Sequence, residues 1–119
     1  MKKTLVLGAS SNPERYSYLA VQRLQTYGHP VIALGAKPGM IGSVPIATET
    51  TEIIDLDTIT LYLNPLRQQN YYSLILGSQP RRIIFNPGTE NPELAELAEN
   101  QGIQVIEACT LVMLASGQY

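Results

Sequence analysis

The stretch Thr4-Leu5-Val6-Leu7-Gly8-Ala9-Ser10-Ser11-Asn12-Pro13 carries an apolar strand straight into a loop of small residues ahead of a helical segment. That order restricts the chain to a few folds, chiefly the open α/β sheets whose first strand-to-helix turn meets a phosphate. Gly8 permits a sharp turn after the strand. Ala9, Ser10 and Ser11 are small enough to bring backbone N–H groups, and the positive end of the next helix, towards an anion. A dinucleotide fingerprint requires G-x-G-x-x-G. Here Ser10 stands at the middle glycine and Pro13 at the third, so the loop reads as a phosphate loop more clearly than as an NAD loop.

The next strand, Pro30-Val31-Ile32-Ala33-Leu34, runs into Gly35-Ala36-Lys37-Pro38-Gly39. An NAD site places an Asp or Glu at that point to hold the ribose hydroxyls. Lys37 stands there instead, which suits a ribose that itself carries a phosphate, as in coenzyme A or NADP. A solvated turn lysine is the competing reading.

Apolar runs recur at Thr4–Leu7, Pro30–Leu34, Thr58–Leu63, Arg82–Phe85 and Ile103–Ile106, with helical patterns between most of them. This alternation predicts a Rossmann-like, doubly wound parallel sheet of about five strands in a three-layer α/β/α domain over residues 1–119. The first helix is expected over Tyr16 to Tyr27, with Tyr16, Leu19, Ala20, Leu24 and Tyr27 inward. A second is expected from Pro65 to about Leu76, and a third after Asn91-Pro92 with Leu94, Leu97 and Ala98 inward. Val44-Pro45-Ile46 reads as a short edge strand, Thr48 to Ile54 as one or two helical turns, and Cys109 to Ala115 as a final helix. Asn-Pro pairs occur at residues 12, 64, 86 and 91. Asn64 and Asn91 read as helix caps with proline at the first helical position. Asn86-Pro87-Gly88-Thr89 reads as a loop whose open amides face the crevice where ligands of such sheets lie.

Eight Lys and Arg against ten Asp and Glu give a net charge of −2 with no basic face, which argues against nucleic acid. The one cysteine, Cys109, excludes an intramolecular disulfide and the usual zinc constellations. Lys2-Lys3 and the apolar residues after them are too short for a secretion signal, and no run approaches the ~18 residues of a membrane span. A cytoplasmic protein is expected, with homodimerisation open.

The ordered set Gly8-Ala9-Ser10-Ser11-Asn12-Pro13-Glu14-Arg15-Tyr16, Gly35-Ala36-Lys37, Gly42-Ser43-Val44-Pro45-Ile46, Leu61-Tyr62-Leu63-Asn64-Pro65 and Phe85-Asn86-Pro87-Gly88 resembles the small, single-domain coenzyme A-binding proteins. These are similar to the N-terminal domain of the succinyl-CoA synthetase α subunit. The resemblance implies that Gly8, Ala9, Ser10, Ser11 and Asn12 contact the diphosphate region, with Arg15 as a further cation. It implies that Lys37 meets the phosphorylated ribose. Asn64-Pro65 and Phe85-Asn86-Pro87-Gly88 would form the loops along which the adenosine and pantetheine parts run. An asparagine loop replaces the synthetase's Thr-Glu sequence, and the chain carries no counterpart of the synthetase's phosphohistidine domain.

No nucleophile or acid/base pair suggests itself, since Ser10 and Ser11 lack a histidine partner and His29 sits in a turn beside Pro30. The expectation is therefore non-catalytic binding of coenzyme A or an acyl-CoA, without metal. Cys109 reads as an inert core cysteine or, alternatively, as a thiol near that of bound coenzyme A. Two other classes stay open: an NADP-binding oxidoreductase-like module, and a protein-interaction subunit regulated by a nucleotide ligand and docking through Tyr62, Tyr71 and Tyr72.

Overall fold

The computed structural model describes residues 1–119. A seven-stranded sheet forms its middle layer. β1 (Thr4–Leu7) leads through α1 (Tyr16–Thr26) to β2 (Val31–Leu34), and a hairpin of β3 (Gly39–Ile41) and β4 (Val44–Ala47) follows. Then come β5 (Thr58–Leu61), α2 (Pro65–Gln68), a 3-10 turn over Gln69–Tyr71 and α3 (Tyr72–Gly77). β6 (Arg82–Phe85), α4 (Pro92–Asn100), β7 (Gln104–Glu107) and α5 (Thr110–Ala115) complete the chain. The strand order is β3-β4-β2-β1-β5-β6-β7, and every pairing is parallel except β3 with β4. The chain leaves β1 for β2 on one side and later returns for β5 on the other. The switch point therefore lies between β1 and β5.

Alternate residues of the strands face two helical layers. Leu5, Leu7, Ile59, Leu61, Ile83 and Phe85 pack with Ile75 of α3 and with Leu94 and Ala98 of α4. Val6, Ala33 and Ile46 pack with Val21 and Leu24 of α1 and Leu114 of α5. This is the doubly wound, Rossmann-like α/β sandwich that the alternation of runs predicts, with seven strands in place of about five. The added strands are the hairpin, whose β4 is covered by β3 and so is not itself the edge. Pro45 is tolerated because β4 pairs with β2 only through Ile46 and Ala47.

Other expectations shift. In α1 the buried stripe is Ser17, Ala20, Val21 and Leu24, while Tyr16 is 71% and Tyr27 52% exposed. The i, i+3, i+4, i+7 set starting at Ser17, rather than at Tyr16, faces the sheet. Leu97 lies at the margin of its helix's stripe, partly exposed. The expected single helix after Pro65 breaks at Gln69–Tyr71, around Asn70, a weak helix former. Residues 48–54 form no helix; Ile53 instead enters the core, with its N–H donating to Ser78 Oγ at 2.9 Å.

Part of the face that carries Val6 and Ala33 is polar, where central parallel strands are usually apolar. Thr4, Thr58, Thr60 and Arg82 are buried there beneath the C-terminal residues. Arg82 Nε donates to Thr58 Oγ1 at 2.7 Å, and its guanidinium lies 4.3 Å over the Tyr119 ring. The Tyr119 hydroxyl is 2.5 Å from Thr4 Oγ1, and Lys2 Nζ donates to the Tyr119 carbonyl. His29 packs on the same ring, 4.9 Å between centroids, and its Nδ1 accepts the Lys2 N–H at 3.0 Å, which places the proton of the neutral ring on Nε2.

Burial, joined by the α-ammonium group, Lys2 and Arg82 and opposed by Asp57, holds the His29 pKa below its usual 6.5. Below pH 6.5 the unfolded chain therefore binds this proton more readily than the folded one. The stability given by the neutral ring is complete above 6.5 and is lost as the pH falls through the lowered value. Urea unfolding from pH 7 to pH 5 is expected to show a falling midpoint, with a shallower slope in His29→Asn. Equal slopes would place the dependence elsewhere.

Candidate functional site

At the end of β1 the chain turns at Gly8, whose φ is +97°. A Cβ there would also stand 3.0 Å from the Leu63 side chain and the Tyr62 backbone, so glycine is required twice over. The amides of Gly8 and Ala9 do not face an open crevice. Both donate to the Leu34 carbonyl, at 2.8 and 2.9 Å, and so extend the β1–β2 ladder past the strands. Asn12 N–H is taken by Ser10 Oγ at 3.1 Å, and Asn12 Oδ1 accepts from Glu14 N–H at 3.0 Å. Ser10 and Ser11 are the loop residues whose N–H groups have no partner within the protein. The first amides of α1, Tyr16 and Ser17, are likewise free, because Arg15 caps that helix without a side-chain bond. An anion at this loop therefore meets the Ser10–Ser11 amides and the α1 N-terminus, with Gly8 and Ala9 shaping the turn.

The loop after β2 is locked against this one. An added Cβ on Gly35 would overlap the Ala9 carbonyl oxygen, and one on Gly39 would come within 3.1 Å of Ser11 Cβ. Lys37 lies between those two glycines, exposed. The one ion pair in the molecule joins Arg82 to Asp57, so Lys37 and the exposed Arg15 carry positive charge with no carboxylate partner. Two uncompensated cations and a set of unpartnered amides fit a ligand with several phosphate groups.

Across the switch point, Asn64 caps α2 by accepting the Arg67 N–H at 2.9 Å, and Pro65 occupies the first helical position. Asn91 caps α4 in the same way through Leu94 N–H at 3.1 Å. Asn86 is 3% exposed and its side chain is consumed internally. Nδ2 donates to Thr60 Oγ1 at 2.7 Å and to the Leu61 carbonyl at 2.9 Å, while Oδ1 accepts the Thr110 N–H at 2.9 Å. Nor are the amides of its loop open. Gly88 N–H donates to Glu90 Oε1, and Thr89 N–H to the Asn86 carbonyl, both at 2.9 Å. Pro87 and Gly88 are exposed, whereas the Phe85 side chain lies in the core. What this loop offers the crevice is the surface of Pro87 and Gly88, held in place by Asn86.

Sequence reasoning overlooked Gln68. It is fully buried and bonds to both asparagine loops. A glutamine in an amphipathic helix ordinarily reads as a solvated residue, and only the fold places this one inside.

The tyrosines considered for docking are each partly buried. Tyr71 packs on the core, and the Tyr72 hydroxyl accepts from Asn91 Nδ2 at 2.9 Å and donates to Glu93 Oε1 at 3.0 Å. The Tyr62 hydroxyl is buried without a hydrogen-bond partner, and burial pushes its pKa up to about 12. Cys109 is half-buried, a free thiol at the start of α5. No three His, Cys, Asp or Glu side chains cluster to hold a metal, and no helix is long and apolar enough to cross a membrane.

An open, mostly parallel sheet with helices on both faces and a strand-order switch between β1 and β5 is the architecture of the doubly wound, Rossmann-like α/β proteins. The family described as "CoA binding domain" matches residues 2–115, and the chain belongs to it. A crystal structure of a protein described as uncharacterized is 48% identical, with a TM-score of 0.97 over 100% of this chain and 98% of that one. A hypothetical protein from Pyrococcus horikoshii OT3 is 20% identical, with a TM-score of 0.86 over 97% of this chain and 82% of that one. A Thermus thermophilus protein is 18% identical, with a TM-score of 0.82 over 99% and 90%. These last two share the fold. No curated protein matches the chain.

Proposed function

We propose that residues 1–119 act as a cytoplasmic, non-catalytic module that binds coenzyme A or an acyl-CoA. The observation that carries this reading is the pair of free amides at Ser10 and Ser11 beside the Gly35–Gly39 segment that presents Lys37. The Ser10 and Ser11 N–H groups, with the α1 N-terminus, take the diphosphate, while Gly8, Ala9 and Asn12 shape the turn. Lys37 takes the 3′-phosphate and Arg15 adds positive charge at the diphosphate. Asn64-Pro65 lines the adenosine, and the Phe85-Asn86-Pro87-Gly88 loop lines the pantetheine arm. Coenzyme A supplies the thiol that carries an acyl group. The chain's own residues bind and orient it.

Lys37→Ala is expected to weaken coenzyme A more than its 3′-dephospho form. One charge-assisted hydrogen bond is worth roughly 1.5–3 kcal/mol, so the loss for coenzyme A should be about ten- to a hundredfold. Titration calorimetry with coenzyme A, dephospho-coenzyme A, acetyl-CoA and NADPH tests both the ligand and the lysine. Equal losses for the two coenzyme A forms would show that Lys37 does not read the extra phosphate. Preference for NADPH would favour the NADP module, which the lysine at the end of β2 also suits.

A further inference from the structure

Gln68 closes α2 with 0% exposure, an uncommon place for a primary amide. Its Nε2 donates to the carbonyls of Leu63 and Thr89, each at 2.8 Å, and its Oε1 accepts from Asn91 Nδ2 at 2.9 Å. Leu63 immediately precedes Asn64-Pro65. Thr89 immediately follows Gly88, and its hydroxyl returns to the Asn86 carbonyl at 2.8 Å. One side chain thus ties the loop after β5 to the loop after β6. Two donors and one acceptor meet two carbonyls and one amide N–H, a match that a carboxylate cannot make; an apolar side chain would remove all three bonds, leaving the Leu63 and Thr89 carbonyls without this donor and Asn91 Nδ2 with the Tyr72 hydroxyl alone. The packing around Gln68 needs its volume. The hydrogen bonds need its chemistry.

We infer that Gln68 is a positioning residue that fixes the separation of the Asn64-Pro65 and Asn86-Pro87-Gly88 loops, and through it the placement of a ligand's pantetheine arm relative to its adenosine. The inference rests on the coenzyme A reading of the site. Gln68 itself, fully enclosed, touches no ligand.

The test compares wild type, Gln68→Met and Gln68→Glu with two ligands, coenzyme A and adenosine 3′,5′-bisphosphate, which lacks the pantetheine arm. Gln68→Met is expected to weaken coenzyme A about tenfold while changing the bisphosphate less than about twofold. Gln68→Glu is expected to be as weak at pH 8 but to recover, relative to wild type, as the pH falls towards 5. Burial and the two facing carbonyls raise that carboxyl's pKa, and once protonated it donates again to one of them. Equal losses for both ligands, or a Gln68→Glu affinity that follows wild type across pH, would overturn the inference and leave Gln68 as a packing residue.

A ligand-free measurement separates this outcome from failure of the coenzyme A reading. In Gln68→Met, hydrogen exchange at the Arg67 and Leu94 amides, capped by Asn64 and Asn91, should rise together while the β1, β5 and β6 amides stay protected. Unchanged or independent exchange at the two caps would overturn the coupling. If wild type binds neither ligand, the ligand half of the inference falls with the coenzyme A reading, and exchange alone decides whether Gln68 couples the loops.

Discussion

Replacing Gly35 by Ala is expected to lower stability by about 3 kcal/mol, near the upper end of overpacking costs, and the Tm by roughly 10 °C. The added methyl would overlap the Ala9 carbonyl oxygen and stand 3.2 Å from both the Ala9 carbonyl carbon and Ile46 Cγ2. Neither side yields easily. Ala9 is held by its own N–H to Leu34, and Gly35 by its N–H to the Ala47 carbonyl at 2.9 Å. Relief therefore requires the first loop to leave the β2 end, which also separates the Ser10–Ser11 amides from Lys37. Loss of coenzyme A binding should accompany the lost stability. Gly102→Ala makes the control, because its φ of +80° is strained for alanine but nothing lies within 4 Å of the new carbon, and it follows α4 outside the candidate site. A Gly35→Ala protein melting within a degree or two of wild type would show that the two loops are free to part.

Asn86→Ala should be comparably severe, about 3–4 kcal/mol by chemical denaturation, because three partners lose a buried bond at about 1–3 kcal/mol each. The Leu61 carbonyl and Thr60 Oγ1 belong to β5 and the Thr110 N–H to α5, while Asn86 follows β6, so the substitution loosens one end of the sheet and the helix packed over it. Asn86→Asp is expected to fare no better, since it retains an acceptor for Thr110 but points an oxygen at the Leu61 carbonyl. A loss under about 1 kcal/mol would mean that water takes over the vacated bonds. Any fall in ligand affinity in these variants follows from the displaced loop, because the Asn86 side chain is buried and both its N–H donors are already used.

Five strands were legible because each places a short apolar or β-branched run beside a turn, a pattern set by local chemistry, and β4 was legible as a strand from Val44-Pro45-Ile46, though read as the edge that β3 in fact forms. β3 was not, because Gly39-Met40-Ile41 is three residues long and begins with a glycine just after Pro38. Its strand character comes from pairing with β4. The asparagine caps were readable for the same local reason as the strands, since the capping bond spans three residues. The first loop was legible in outline only. Small residues after a strand mark the turn, but which amides remain free depends on Leu34, whose carbonyl takes two of them from across the sheet. Asn86 and Gln68 lie further from reach, each being a polar side chain whose partners are 24 to 26 and 5 to 23 residues away respectively. Only the assembled fold gives them their roles.

The Tyr119 ring, set among Lys2, Thr4, His29 and Arg82, has a consequence for the order in which this chain folds. Among residues 1–119 it is the last to be synthesised, and it lands 115 positions from its partner Thr4. Until it arrives, Thr4, Thr58 and Arg82 keep their water. The apolar face beneath α3 and α4, and the part of the other face beneath α1, can close with the chain only partly made, whereas the patch of Thr4, Thr58 and Arg82 stays wet until α5 and the residues after it are available. Closure over so long a separation is slow in entropic terms. The polar patch should therefore be the last part of this sheet to dry, as the residues after α5 dock over it.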